Sequence, residues 1–405
     1  MRIFKYIAAG VAMLFSASTL FAETNEIETQ YRRPSMYSVL VSRTDQEHSA
    51  KIIDEFYNIE TPSQYNNHDL SIKVVTVPKK GTGESDIDNW LKENAIASRL
   101  VGKWFDRDIF TGECSLDLIK YRGLYNATEL DKELAARSAR GIAMLEDAGE
   151  DLIGNTFVLV HEASYIDHGK RSKVAGGILR GLGMIAGAAL GSKSLMEMGD
   201  NIGSITETIK GFKVKFHTRL YRLVWDDEAS KIFYTQMWTQ KPDEKKKMSF
   251  DDGRDTFRLE YIGEVTSSGS NTSFLGISEK HPEIMVRKAC TRAIDDNIRD
   301  LQSNFEVFRV KSPILAVRDG VIEVPIGMKE GINADSEYEV LEAVEKKGKI
   351  SYNRIGTVKP VKGKIWDNRY MAVEEGAPGA ELACTTFKIT SGHNIEVGHF
   401  IRQLK

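Results

Sequence analysis

The sequence is poor in the features that usually declare a function. Cysteine occurs three times in 405 residues, at Cys114, Cys290 and Cys384. An odd number at wide spacing excludes a disulfide-built scaffold and leaves room for one pair at most. No two of them form a CxxC, so zinc-ribbon and thioredoxin readings fail. Neither sign of charge dominates, because 55 Lys and Arg stand against 58 Asp and Glu, a formal net charge of −3. So even a balance gives no global basis for binding nucleic acid or an anionic membrane surface. GxSxG, HExxH, Walker and EF-hand signatures are all missing. The sequence names no nucleophile, metal set or cofactor loop, and the expectation is a non-enzymatic protein without cofactor or metal.

What is present begins at the N-terminus. Arg2 and Lys5 are followed by an apolar stretch at 7–15, then by the small residues Ser16, Ala17, Ser18 and Ala22. This is the three-part grammar of a secretory signal peptide, expected over 1–22, with a cut after Ser18 as the alternative. The apolar stretch falls short of the roughly 20 residues that a span needs. Glu23 and Glu26 follow at once, which disfavours a signal anchor. No cysteine stands at the processing site, which disfavours a lipid anchor. The expectation is export to the periplasm or to the periplasmic face of the outer membrane. The remainder, 41% hydrophobic and 28% charged, has the profile of a globular protein of two or three domains.

Residues 23–35 read as a flexible lead-in. The pattern then predicts a strand at 37–42, a helix around Ala50, Ile53, Phe56 and Tyr57, and a strand at 70–77 that stops at Pro78. Ser85 is a candidate N-cap for a helix running through Trp90, Leu91, Ile96 and Leu100 towards Trp104. A long helical pattern covers about 127–148. A strand begins at 156, and 211–225 alternates Phe212, Val214 and Phe216 against Lys213, Lys215 and His217, the mark of one wet face. The turn DDEAS predicts a hairpin from there to 231–238. A strand at 256–265, a loop at 266–273 and an amphipathic helix at 281–304 complete the first part. From 312 to 405 short strands punctuated by glycine predict a small all-β barrel or sandwich, with the boundary near 309–312.

Between the strands at 156–166 and 211–225 lies a glycine-rich insertion, 172–203. Gly183, Gly187 and Gly191 recur every four residues, so in a helix they share one side and admit a close neighbour. Glycine costs about 1 kcal/mol per residue in a helix interior relative to Ala, and such a run suits a packing requirement. Three readings compete. The first is a packed helical hairpin or a loop, and the second is a helix that self-associates or touches a membrane. The third is a nucleotide loop, because Gly181, Gly183 and Ala186 satisfy GxGxxA. The preceding residues do not read as a strand, which counts against that last one.

Other constellations are weak. His161 and Asp167 share a strand face but lie about 20 Å apart along a straight strand, and His168 points the other way. Asp226/Asp227 and Asp251/Asp252 read as turn residues, with a calcium or acid–base pair as the alternative. The basic strand face of Lys213, Lys215 and Arg219 reads as solvated. The cluster Trp366, Asp367, Asn368 and Arg369 reads as a turn with an aromatic anchor and is a candidate ligand contact.

The order strand, helix, strand, helices continues through DLIGNTFVLV, LYRLVWDDEASKIFY and the helix carrying VRKACTRAIDDNI. It resembles the small α/β domain of the curli secretion channel family (CsgG-like) and the middle domain of flagellar assembly protein T. The segment LVWDDEAS stands where those families carry a paired LRLVD…TG strand and lacks the Thr-Gly. The stretch IGMKEGINADSEYEVLEAVEKKGKISYNRIGTVKPVKGKIW is similar to the small β-barrel that ends flagellar assembly protein T. The chain also resembles uncharacterised exported proteins of Bacteroidota-type envelopes. The resemblance implies a non-enzymatic assembly or scaffold part. The curli-type channel builds its pore from β-hairpins and 172–203 reads as a glycine-zipper helix, so no secretion pore is implied.

The expected fold is therefore α+β, with a mixed α/β domain at 36–308 carrying the helical insertion and a small β-barrel at 312–405. The expected function is that of an exported scaffold or assembly component. It would self-associate, or contact membrane or other envelope proteins, through Gly183, Gly187 and Gly191, and would bind no nucleic acid. The alternative is a soluble periplasmic ligand-binding module with its site between the two domains.

Overall fold

The computed structural model describes residues 33–43, 49–77, 84–125, 152–167, 210–273, 282–346 and 349–404. The expected signal peptide, the helical pattern at 127–148 and the glycine-rich insertion with Gly183, Gly187 and Gly191 lie outside the described residues. The chain is mixed helix and sheet, in agreement with the α+β class.

Two strands apolar on both faces organise the first sheet. Strand β1 (Ser35–Arg43) buries Met36, Tyr37, Val39, Leu40 and Val41, so it has no wet side. Such a strand belongs in the middle of a sheet with layers above and below. It pairs in parallel with β2 (Asn66–Asn67), β3 (Val74–Val77) and β4 (Thr156–Asp167). β4 buries Phe157, Val158, Leu159 and Val160 in the same two-sided way. From β4 the sheet continues antiparallel through β5 (Lys210–Val224) to β6 (Arg258–Ser273).

Among the described residues seven helices accompany these strands: α1 (Ser49–Tyr57), α2 (Glu84–Glu93), α3 (Ile96–Trp104), α4 (Asp117–Tyr125), α5 (Asp227–Ile232), α6 (Glu244–Asp252) and α7 (Pro282–Asn304). Alternation along the strands sends Tyr37, Val39, Val158, Val160, Tyr221 and Leu223 to one core, with Leu91, Leu100, Trp104 and Phe233. The opposite set, Met36, Leu40, Phe157, Leu159, Phe216 and Leu220, meets Ile52, Phe56, Ala289, Ala293 and Leu301 of α1 and α7. Each buried side chain of this size contributes about 1.5–3 kcal/mol from transfer out of water. The result is a sheet between two helical layers.

Several expectations need correction here. Ser35, assigned to the lead-in, is buried in β1 and accepts a hydrogen bond from Arg122. The strand expected at 70–77 is reduced to β3. The helix expected from Ser85 to Trp104 is two helices, because Ala95 takes a left-handed φ of 49° between them, and Ser85 lies inside α2. The hairpin from 211–225 to 231–238 does not form. Asp226 instead caps α5 by accepting from the Ala229 amide (2.9 Å), and the chain continues into a π-helical turn, Phe233–Met237. Phe233 then sits within about 4–6 Å of Phe105, Trp225 and Phe257, so this apolar run serves a helical aromatic cluster.

The loop expected at 266–273 is the second half of β6, paired with β5 from Thr218↔Val265 to Lys210↔Ser273. Its Ser and Gly content reflects a close helix rather than a turn. A Cβ placed on Gly269 would lie 2.1 Å from the Ala289 carbonyl oxygen and 2.7 Å from the Ala293 nitrogen, both on α7. Ser267 Oγ donates to Asp300 of the same helix (2.6 Å).

The second sheet is antiparallel, in the order β7-β13-β10-β11-β12-β9-β8. Its strands are β7 (Ser312–Pro313), β8 (Ala316–Arg318), β9 (Val321–Val324), β10 (Tyr338–Lys346), β11 (Lys349–Pro360), β12 (Thr385–Gly392) and β13 (Phe400–Gln403). β7 and β8 lie at opposite ends of that order, yet only Ile314 and Leu315 separate them in the chain. The sheet must curl to bring its ends together, and it forms a half-barrel around Ile322, Val324, Val340, Val358, Phe387 and Ile401.

The α7–β6 contact yields a first prediction. Gly269→Ala should lower stability by about 1–3 kcal/mol through overpacking. Ser268→Ala, on the exposed face of the same strand, should change it by less than about 0.5 kcal/mol. Urea unfolding of both variants is the measurement, and equal midpoints would mean that α7 does not lie this close to β6.

Candidate functional site

Helix α7 carries two kinds of surface. Val286, Ala289, Cys290, Ala293 and Leu301 are buried against the first sheet. Beside that stripe run Arg287, Lys288, Arg292, Asp295, Asp296 and Arg299, too many charges for a core contact. They face connections of the second sheet. Lys288 and Arg292 both pair with Glu375, the latter at 2.7 Å, and Arg292 also donates to the Tyr370 carbonyl (3.1 Å). Lys329 reaches Asp295 at 3.3 Å. Glu55 of α1 holds Arg287 at 2.5 Å.

Local hydrogen bonds shape the two connections that meet α7. In the tight turn Met328–Glu330, the Glu330 carboxylate accepts from the Gly327 amide (2.6 Å) and from Asn368 Nδ2 (2.7 Å). Asn368 Oδ1 accepts from the Lys329 amide (2.8 Å), and the Trp366 carbonyl accepts from the Met328 amide (2.9 Å). Gly331 closes the turn at φ 85°, where a side chain would strain the backbone and would also strike Arg299. Asp367 is buried and binds Arg369 in two-point fashion, at 2.8 and 2.7 Å. Trp366 donates its amide to Thr385 Oγ1 at 3.0 Å.

These parts enclose a cleft of about 380 Å³ lined by Glu55, Asn58, Ile59 and Glu60, by Arg287, Thr291 and Asp295 of α7, and by Lys329, Asn368 and Tyr370. Two larger depressions, about 690 and 490 Å³, flank the α2–α3 corner at Ala95. Size does not decide between them: the 490 Å³ depression holds the Tyr221 hydroxyl, raised by burial and already spent on Asp88 (2.7 Å), whereas the smaller cleft holds a buried carboxyl. Asp295 is 7% exposed, and its Oδ2 is buried with no hydrogen-bond partner among the described residues. Burial pushes its carboxyl up to about 6, and the nearby Glu330 and Asp296 add to the rise, while Lys329 opposes it. Burial raises Glu330 and Asp296 as well. Clefts that hold buried, shifted carboxyls are where ligands are most often found.

Of the four candidate contacts, Asn368 lines the cleft, whereas Trp366, Asp367 and Arg369 fasten the loop that carries it. His161 is a core residue, fully buried, bonded through Nδ1 to Thr218 Oγ1 (2.8 Å) and pushed down to about 3 by burial. His168 lies outside the described residues. Arg219 does not belong to a solvated basic face: it is buried and held by Glu162 at 3.0 Å. Asp251 and Asp252 end α6 rather than forming a turn, and Asp251 binds Arg107 and Lys247. The three cysteines are free thiols, with Cys114 and Cys290 buried. Sequence reasoning missed Glu55, Arg287, Asp295, Lys329 and Tyr370. The spacing of Arg287, Thr291 and Asp295 at every fourth position of an amphipathic helix was the one signal available.

No family model matches the chain, and no curated protein matches it. The cleft is therefore interpreted from its own chemistry.

A raised carboxyl makes stability pH-dependent in a definite direction. The folded chain holds the Asp295 proton more tightly than the unfolded chain, so this contribution is complete below about pH 4 and is lost as pH rises through about 6. Asp295→Asn should unfold like the wild type near pH 4. At pH 7.5 it should be more stable, by up to about 3 kcal/mol for a fully buried group. Glu330 and Asp296 leave a smaller slope of the same sign. Urea midpoints measured at both pH values check this, and a variant weaker than wild type at pH 7.5 would refute it.

Proposed function

We propose that this chain is an exported, non-enzymatic protein of the cell envelope, acting as a scaffold or assembly component in the periplasm or on the periplasmic face of the outer membrane. The supporting observation is the frame made by β4 and β5, paired without interruption from Phe157↔Arg222 to Asp167↔Phe212. The described chain therefore leaves the first sheet at Asp167 and resumes at Lys210 on the neighbouring strand, at one end of a ribbon braced by β6 and α7. The composition of the intervening segment, 168–209, with Gly183, Gly187 and Gly191 at four-residue spacing among apolar residues, suits self-association or contact with membrane or other envelope proteins. The curled second sheet is taken for the small β-barrel of the sequence reading.

A second reading is favoured by the cleft. A soluble ligand-binding module would place its site where α7 meets the second sheet, at Asp295 and Arg287. The readings are separable by experiment.

Removing residues 172–203 should convert a large or membrane-associated species into a soluble, smaller one. Fractionation of cells expressing either form, followed by sizing in mild detergent, provides the measurement. Gly187→Leu should weaken assembly in the same direction. A soluble monomer with or without the segment would end the assembly reading.

A further inference from the structure

We propose that the cleft between α7 and the second sheet binds a short peptide, with the peptide's terminal ammonium on Asp295 and its terminal carboxylate on Arg287. This inference rests on the second reading above, that the cleft is a ligand site.

The lining disfavours a wholly apolar ligand. Among the described lining residues Ile59 is the one aliphatic member, and the others are charged or carry hydrogen-bonding groups. An apolar molecule would strip water from those groups and return no hydrogen bonds. Both signs of charge are present: Glu55, Glu60 and Asp295 against Arg287 and Lys329. A ligand of a single charge would satisfy one set and oppose the other, whereas a zwitterion suits both.

Two groups determine where its charges go. Asp295 spends Oδ1 on Lys329 and keeps Oδ2 buried without a donor among the described residues. A buried acceptor left unmet is costly, and an ammonium supplies the missing hydrogen bonds. Arg287 spends Nε on Glu55, yet its side chain remains 47% exposed. It also hydrogen-bonds the Tyr370 side chain, and the exposed remainder of the guanidinium can meet a carboxylate, which it binds through its N–H groups.

The spacing selects the length. Arg287 and Asp295 are eight positions apart on one helix, about 12 Å between their Cα atoms. Reach by both side chains shortens this, but a single amino acid is too short to touch both. An extended chain adds about 3.3–3.6 Å per residue, so two or three residues match. Thr291 lies midway on the same face of α7 and presents a hydroxyl to the peptide groups. The volume, about 380 Å³, is within the range of small-ligand sites.

The test is calorimetric titration of the full processed chain with dialanine and trialanine, with their N-acetylated and C-amidated forms, and with a neutral disaccharide. Binding of the free peptides is expected, and each terminal block should abolish it. Asp295→Asn and Arg287→Gln should each weaken it by about ten- to hundredfold, while the remote Lys215→Ala leaves it unchanged. Both cleft variants are checked for folding by their unfolding midpoints. Binding that survives acetylation overturns the ammonium contact and with it the proposal. Binding of the disaccharide in place of peptide, lost in the same variants, overturns the peptide class but keeps the cleft as a site. No binding by any probe overturns both the proposal and the reading on which it rests.

Discussion

The rotation and depth of α7 on the first sheet set the geometry of everything beyond it. Gly269 permits the helix to approach β6 backbone to backbone. A short polar thread then fixes which way the helix faces. Asn297 Nδ2 donates to the Phe216 carbonyl (3.2 Å) and to Thr218 Oγ1 (2.7 Å), both on β5. Thr218 Oγ1 in turn shares a hydrogen bond with Nδ1 of His161 on β4 (2.8 Å). Asn297, Thr218 and His161 are all fully buried, so each bond is made in a setting where an unmet partner would be costly. With Asn297 held inward, Arg287, Thr291 and Asp295 are carried to the flank where the second sheet is met.

Buried titratable groups pull stability in opposite directions. His68 receives a hydrogen bond from Arg122 on Nδ1 (2.9 Å), so its hydrogen resides on Nε2 and is donated to the Leu100 carbonyl (3.0 Å). Burial first, and Arg122 second, hold that imidazole neutral well below its usual range. His161 is held neutral by burial alone. Imidazoles of this kind stabilise the fold above their unfolded pKa and withdraw that support as pH falls. Asp295, Glu330 and Asp296 behave in the opposite sense and withdraw theirs as pH rises. The first sheet is thus weakened by acid and the junction by base, in parts of the chain that share α7.

How much of this was legible in the sequence depended on whether one partner or several determined each segment. β1 and β4 were readable because continuous apolar runs leave a strand little choice but the sheet centre. The amphipathic helix at 282–304 was readable from its period. Residues 266–273 were misread because their Ser and Gly content answers to α7, distant in sequence, while local rules assign such residues to loops. Residues 231–238 were misread because Ile232, Phe233 and Trp238 are apolar enough for a strand, and only the Asp226 cap and the surrounding aromatics select the helix. The cleft was beyond reach for the same reason. Its residues come from α1 and the connection after it, from α7, from one tight turn and from the loop at 368–370, and no spacing in the chain brings Glu55, Asp295 and Lys329 together.

The junction itself is chemically unlike either core. Two apolar surfaces of comparable size would have joined the sheets more firmly, since replacing buried ion pairs by well-packed side chains is often neutral or stabilising. Here α7 instead presents charges, and the partner loops answer with Glu375 and Lys329. Polar interfaces between parts of a chain adjust more readily than apolar ones, because an ion pair can exchange its partner for water or for a ligand without opening a cavity. Asp295 sits at the point where such an exchange gains most: Oδ2 has nothing to lose and one or two hydrogen bonds to acquire.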